Sequence, residues 1–384
     1  MNEKHLLMIP GPTPVPERVL QAMAKHPIGH RSKGFTEIQA EVNAALQWLH
    51  QTETCEVLSL TGSGTAAMEA GMINFLSRGD RVLCGCNGKF GDRWAEVAEA
   101  YGLNVERITA EWGKPLDVAA FQSALEADTE KQIKAVIFTH SETSTGVLND
   151  LAGINAAVKA HGEALIIVDA VTSLGACSVP VDALSLDVVA SGSQKGYMMP
   201  PGMGFVSVSP KAWAAYATAD LPRYYLDLGK YRKAAAKNST PFTPAVNLTF
   251  ALQDSLRMMQ AEGLEAIFAR HARLQQATRA AMQAIGLNLL GADVVASPAV
   301  TAVLPAQVDA EQIRGTMQSQ FEIALAGGQD HLKGKLFRIG HLGFVCERDT
   351  LTVVSAIEAT LQSLGVADFT PGAGVAAAAA VFAR

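Results

Sequence analysis

D-V-V-A-S-G-S-Q-K-G-Y-M-M-P-P-G-M-G-F, running from Asp187 to Phe205, is the stretch around which the chain is organised. A short apolar run (188–190) enters small residues, Lys195 follows, and a Pro/Gly-rich bend returns the chain to a second apolar run (205–208). The spacing predicts Lys195 in a turn between two buried strands. A lysine with desolvated flanks is a candidate for a lowered pKa and Schiff-base chemistry. The alternative is a solvated lysine in a hairpin loop.

Upstream, residues 57–60, 81–84, 104–108, 134–139 and 164–168 are further strand candidates, with helical patterns between most of them. With 188–190 and 204–208 they predict seven strands, several apolar throughout, as in a sheet buried on both faces. The expected fold class is α/β, a mostly parallel seven-stranded sheet sandwiched by helices. Functional residues in such sheets gather at the carboxyl ends of strands. One such end delivers Asp169, another H-S-E-T-S-T-G (140–146), a third S-G-S-Q-K (191–195). Asp169 and Lys195 lie 26 positions apart, room for one crossover between strands of one sheet, so they can face one crevice. A helix-capping role for Asp169 is the competing reading.

The run 57–60 is followed by T-G-S-G-T (61–65) and a helical pattern over 66–76. Strand, glycine turn and helix in that order place free backbone N–H groups at Gly64, Thr65 and Ala66, an anion-binding helix N-terminus; the alternative is an ordinary Gly-Ser-Gly turn. The P-loop lysine and the three-glycine dinucleotide fingerprint are both missing, which argues against ATP and NAD.

The chain's 384 residues are 49% hydrophobic and 18% charged, with a formal charge of −6. This describes a large-cored globular protein of two domains and disfavours nucleic acid as a partner. No apolar run is long enough to span a bilayer and no signal peptide precedes the prolines at the N-terminus, so the cytoplasm is the expected location. The five cysteines are scattered, Cys84 and Cys86 forming a C-x-C with no second pair, and no metal site is expected.

I-P-G-P-T-P-V-P (9–16) forbids a helix and predicts an extended arm, lying over the protein's own cleft or reaching a neighbouring subunit. Helices are expected over 17–25 and 35–52, and one long connector helix from about 245 to 285. Strands at 301–304, 322–325 and 336–339 predict a smaller α+β domain. The expected division is an arm (1–15), a large domain (16–255) and a small domain (256–384) ending in a loosely held alanine-rich tail.

T-G-S-G-T-A-A-M-E-A, N-G-K-F-G-D-R, H-S-E-T-S-T-G-V, V-D-A-V-T-S-L-G, S-G-S-Q-K, T-P-F-T-P and L-F-R-I-G-H-L-G, in that order, closely resemble the class V, fold-type I pyridoxal-phosphate aminotransferases. More narrowly, the chain is similar to the alanine:glyoxylate and serine:pyruvate branch, from about Pro10 to Gly365. The resemblance implies pyridoxal 5'-phosphate as cofactor, held covalently by Lys195, with Asp169 on its pyridine nitrogen. It also implies Phe90 stacked on the ring, where many relatives carry tryptophan, and Thr143 donating to the phenolic oxygen. Ser63, Gly64, Thr65 and Gln194 are implied around the phosphate, Thr65 standing where many mammalian relatives have His. Thr243 is implied to reach the phosphate of the other subunit of a homodimer, with Thr240 where relatives often have Tyr. Arg338 and the Gly11 region are implied to receive the substrate carboxylate.

The implied activity is transfer of an amino group from alanine or serine to glyoxylate or pyruvate by a ping-pong mechanism. Within the fold the alternative is a 2-aminoethylphosphonate or ureidoglycine transaminase. A desulfurase fits less well, because Cys346 follows Arg338 instead of preceding it in a mobile loop. From another class comes an accessory subunit of a soluble hydrogenase, a label some close relatives carry.

Overall fold

The computed structural model describes residues 5–306 and 308–384. Of the expected arm, residues 1–4 lie outside the described residues. Strand β1 (Leu6–Met8) opens the chain; β2 (Glu56–Thr61), β3 (Arg81–Cys86), β4 (Asn104–Thr109) and β5 (Ile133–Thr139) follow. A two-stranded hairpin, β6 (Ser141–Glu142) and β7 (Val147–Leu148), then precedes β8 (Leu165–Asp169), β9 (Val188–Gly192) and β10 (Met203–Val208). These build a seven-stranded sheet in the order β2-β10-β9-β8-β5-β3-β4, with β10 antiparallel to both neighbours and the other pairs parallel.

Side-chain alternation explains why the central strands β5 and β8 are apolar along most of their length, whereas the edge strand β4 (N-V-E-R-I-T) is not. Val136, Phe138, Ile166 and Val168 enter one core, while Ala135, Ile137, Leu165 and Ile167 enter the other. Both faces are covered by helices, so neither needs a polar residue. The α/β, mostly parallel sheet expected from the sequence is the fold.

A second sheet has the order β1-β13-β14-β12-β11, built from β11 (Asn288–Leu289), β12 (Val300–Leu304), β13 (Ile323–Gly327) and β14 (Phe337–Gly340). Its edge is the N-terminal arm, since β1 pairs in parallel with β13. The single connector helix expected over 245–285 is instead two helices, Val246–Glu262 and Leu264–Ala284. Gly263, at φ +83°, separates them in a conformation that interrupts the hydrogen-bond ladder. Leu252, Leu256, Met259 and Ile267 pack in the core under the larger sheet, and the core of the smaller sheet takes over from Leu274.

The alanine-rich tail is not loosely held. It forms the helix Ala373–Phe382, with Ala378 fully buried in the smaller core. The carboxylate of Glu358 accepts the N–H groups of Gly372 and Gly374 at 2.7 Å and of Val375 at 3.3 Å. A low-complexity composition concealed an apolar face with a carboxylate at its N-terminus.

Candidate active site

The site assembles at the carboxyl ends of the central parallel strands. β8 delivers Asp169 between Thr139 of β5 and Ala190 of β9. The carboxylate is buried. Its Oδ1 accepts the Val171 N–H at 2.9 Å, and its Oδ2 accepts the Trp94 indole N–H at 3.1 Å and the Thr139 hydroxyl at 3.4 Å. Burial pushes the Asp169 carboxyl above its ordinary value; the Val171 N–H, the Trp94 indole, the charge of Lys195 and the Thr139 hydroxyl pull it back.

Lys195 follows β9 in the turn to β10. Its position is buried, so the solvated-loop alternative does not hold. Burial, reinforced by the charges of Arg338 and Arg93 and opposed by Asp169, lowers its amine to about 8. The charge of Lys195 lowers the Asp169 carboxyl and the charge of Asp169 raises the Lys195 amine, each less than burial shifts them.

The proline-rich arm lies over the chain's own cleft. The Lys195 amine donates to the Pro10 carbonyl at 2.5 Å. Thr13 ties the arm down, its N–H to the Gln194 carbonyl and its hydroxyl to the Lys195 carbonyl, each at 3.1 Å. Gly11 has φ +131°, and a Cβ there would sit 2.6 Å from Nζ of Lys195, so only glycine lets the arm pass this close.

Ser63 caps the helix Gly64–Ile73, its hydroxyl accepting the Ala66 N–H at 3.2 Å. Gly64, the first residue of the helix, and Thr65 follow it. Gly192 closes on this end, where an added Cβ would lie 3.1 Å from the Gly64 Cα and 3.0 Å from Gln194 Oε1. That Gln194 oxygen is buried with no hydrogen-bond partner. An ungripped amide beside a helix N-terminus, with a buried carboxylate and a low-pKa amine nearby, suits a cofactor that carries a phosphate, a basic ring nitrogen and an aldehyde. The residues present fit pyridoxal phosphate.

Phe90 is the second residue of the helix Lys89–Ala100, half-buried, with the Arg93 guanidinium 4.8 Å from its ring centroid. The N–H groups of Phe90 and Gly91 donate to Oε2 of Glu142 at 3.1 and 3.0 Å, and the Ser144 N–H and hydroxyl donate to Oε1. Burial raises the Glu142 carboxyl, with a further push from the charge of Asp169, while the Ser144 hydroxyl and the Gly91 and Ser144 N–H groups lower it. Thr143 is buried, and its carbonyl accepts Nη1 of Arg338 at 2.9 Å; Nε of the same arginine donates to the Gly327 carbonyl at 2.9 Å. Arg338 thus reaches from β14 in the smaller sheet to the β6–β7 hairpin beside the larger one. Burial lowers it to about 10, partly offset by Glu142.

Thr243 is not brought into this cluster. It lies exposed in the segment after Thr240, whose carbonyl accepts Nη1 of Arg31 at 2.5 Å. Two side chains of the site escaped the sequence reading: Trp94, one helical turn after Phe90, and Glu142, inside a motif read only for its threonine. The i,i+4 spacing of Phe90 and Trp94 was the available signal.

A strand-tip carboxylate, a buried amine and a capped helix N-terminus on this sheet suit a pyridoxal-phosphate enzyme. A family model described as "Aminotransferase class-V" matches residues 5–341, and the chain belongs to that family. It is 68% identical over 381 residues to "Soluble hydrogenase, small subunit" of Synechococcus sp. (strain PCC 6716), covering 99% of each chain. It is 36% identical to "L-aspartate--glyoxylate aminotransferase" of Paracoccus denitrificans (98% of this chain, 96% of the relative). It is also 36% identical to "Serine--glyoxylate aminotransferase" of Methylorubrum extorquens (97% and 94%). Among solved structures, ureidoglycine-glyoxylate aminotransferase from Bacillus subtilis superposes with a TM-score of 0.94 at 32% identity, covering 100% of this chain and 99% of that one. The family's cofactor is pyridoxal phosphate, and among the described residues no helix is long and apolar enough to cross a membrane.

Proposed function

We propose that this chain transfers the amino group of a small amino acid, alanine or serine, to glyoxylate or pyruvate, as a cytoplasmic homodimer in which Thr243 of each subunit reaches the phosphate held by the other. The observation that carries the reading is the burial of Asp169 and Lys195 within reach of each other's charge, at the tips of adjacent strands.

When bound, pyridoxal phosphate supplies a ring that accepts the electron pair left when the substrate Cα proton departs. Asp169 holds a negative charge at the ring nitrogen. Ser63, Gly64, Thr65 and Gln194 hold the phosphate, Phe90 covers the ring, and Thr143 adds a polar group at its edge. Lys195, with a pKa near solution pH, takes and returns the Cα proton at Nζ. Arg338 receives the substrate carboxylate through its guanidinium fork, and Gly11 leaves room beside it. The Pro10–Thr13 strap excludes water from the amine.

Glyoxylate is named in all three of the aminotransferases described above, whereas the donors differ. That pattern supports a fixed acceptor pocket and a variable donor. A panel of alanine, serine, aspartate, ureidoglycine and 2-aminoethylphosphonate against glyoxylate and pyruvate tests it. Alanine or serine with glyoxylate is expected to give the highest kcat/KM; turnover of 2-aminoethylphosphonate with neither alanine nor serine accepted would overturn the reading.

The hydrogenase name of the relative at 68% identity supports a second reading, an accessory subunit. Of the five thiols only Cys84 and Cys86 share a secondary-structure element, and burial pushes Cys86 and Cys177 up to about 12, which disfavours the thiolate an iron-sulfur ligand requires. Iron analysis of the purified chain separates the two readings, stoichiometric iron favouring the second.

A further inference from the structure

We propose that Trp94 is a positioning residue for the cofactor, its indole N–H holding the Asp169 carboxylate ionised and aimed at the ring nitrogen. This rests on the pyridoxal-phosphate reading of the site. Trp94 is fully buried on the helix Lys89–Ala100, one turn beyond Phe90, so a single helix face carries the ring-covering phenyl and the donor to the carboxylate behind it.

Tryptophan has one hydrogen-bonding group, and here it is spent on Oδ2 of Asp169 at 3.1 Å. A carboxylate offers about four lone-pair positions. Val171, Trp94 and Thr139 occupy three, leaving one for a fourth donor. Val171 is fixed by the backbone and Thr139 sits farther off at 3.4 Å. The indole is therefore the side-chain donor with the larger effect on which way the carboxylate faces.

Its electrostatic role follows from burial. A fully desolvated carboxylate tends to keep its proton, and a protonated Asp169 could not stabilise a protonated pyridine. The indole N–H stabilises the charged form at no cost in added charge, and its apolar rings keep water from competing for the acid.

Trp94→Phe removes the N–H while retaining an aromatic ring. The cofactor-free variant is titrated with pyridoxal phosphate and, separately, with its 1-deaza analogue, in which carbon replaces the ring nitrogen. Because hydrogen bonds to charged groups are the strong ones, the dissociation constant for pyridoxal phosphate should rise about tenfold or more. The deaza analogue should bind variant and wild type within about twofold, since it offers Asp169 no N–H. Equal weakening toward both compounds, or none toward either, would overturn the proposal by making Trp94 a packing residue. If Trp94→Phe folds poorly by circular dichroism, Thr139→Val removes the second side-chain donor from the same oxygen. It should show the same nitrogen-dependent difference, smaller in size, and no such difference would again sink the idea. Failure of the native chain to bind pyridoxal phosphate at all would instead count against the functional reading beneath.

Discussion

The carbonyl of Pro10 accepts the Lys195 amine at 2.5 Å, so an arm anchored at the edge of the smaller sheet closes over the amine that the larger sheet presents. Lys195 is thereby held by both sheets, and it is walled from water on the side where a hairpin lysine would ordinarily be wet.

Gly11→Ala tests that closure. The added methyl meets Nζ and Cδ of Lys195 at 2.6 Å on a backbone with φ +131°, so either the arm lifts or the lysine is displaced. The variant is expected to bind cofactor with at least about tenfold lower affinity and lose transaminase activity, while circular dichroism stays native. Wild-type affinity in this variant would mean that the arm is free to move.

The lowered pKa of Lys195 has a sign that can be checked. In cofactor-free protein the amine is neutral above about 8 and protonated below it, and only the neutral amine attacks an aldehyde. Covalent capture of pyridoxal phosphate, followed by stopped-flow absorbance, should accelerate with pH through about 8 and then level off. Lys195→Ala should show no covalent chromophore at any pH. Linkage gives a second readout: between about 8 and the ordinary 10.5 the unfolded chain holds a proton that the folded chain has lost. The cofactor-free protein should gain stability against urea across that window, and Lys195→Ala should not.

Arg338→Lys keeps a positive charge and removes the fork. Carboxylate binding loses its second parallel hydrogen bond, so kcat/KM for both donor and acceptor should fall about 100-fold with the cofactor spectrum unchanged. Because Arg338 also ties Gly327 to Thr143, a small loss in thermal stability should accompany the change. An unaltered KM for both substrates would remove Arg338 from the carboxylate site.

Glu358→Ala deletes the acceptor of three N–H groups at the start of the terminal helix. Leaving those donors unpaired should cost about 1–3 kcal/mol. Limited proteolysis should release the last helix from the variant well before it does from wild type. Identical cleavage rates would show that the apolar face of the helix alone retains it.

How much of this was legible in order of residues varies with the kind of interaction. The central strands of the larger sheet could be read because a strand buried on both faces needs a largely apolar run, and 135–138 and 164–168 supply such runs. Lys195 and Asp169 could be read because polar residues at the ends of such runs fall at one edge of the sheet. Gly263 was passed over because the apolar spacing continues across it, and its positive φ is a property of the backbone that periodicity does not register.

What the order of residues determined by itself was the layer architecture and the strand tips at which Asp169 and Lys195 fall, both of which depend on neighbours a few positions apart. Tertiary structure alone decided that Pro10 meets Lys195, that Trp94 meets Asp169 and that Arg338 crosses from one sheet to the hairpin beside the other. These pairs lie far apart along the chain, and each is a single directional hydrogen bond. Such bonds leave no periodic trace in composition, because their partners are chosen by how the two sheets pack and not by local spacing.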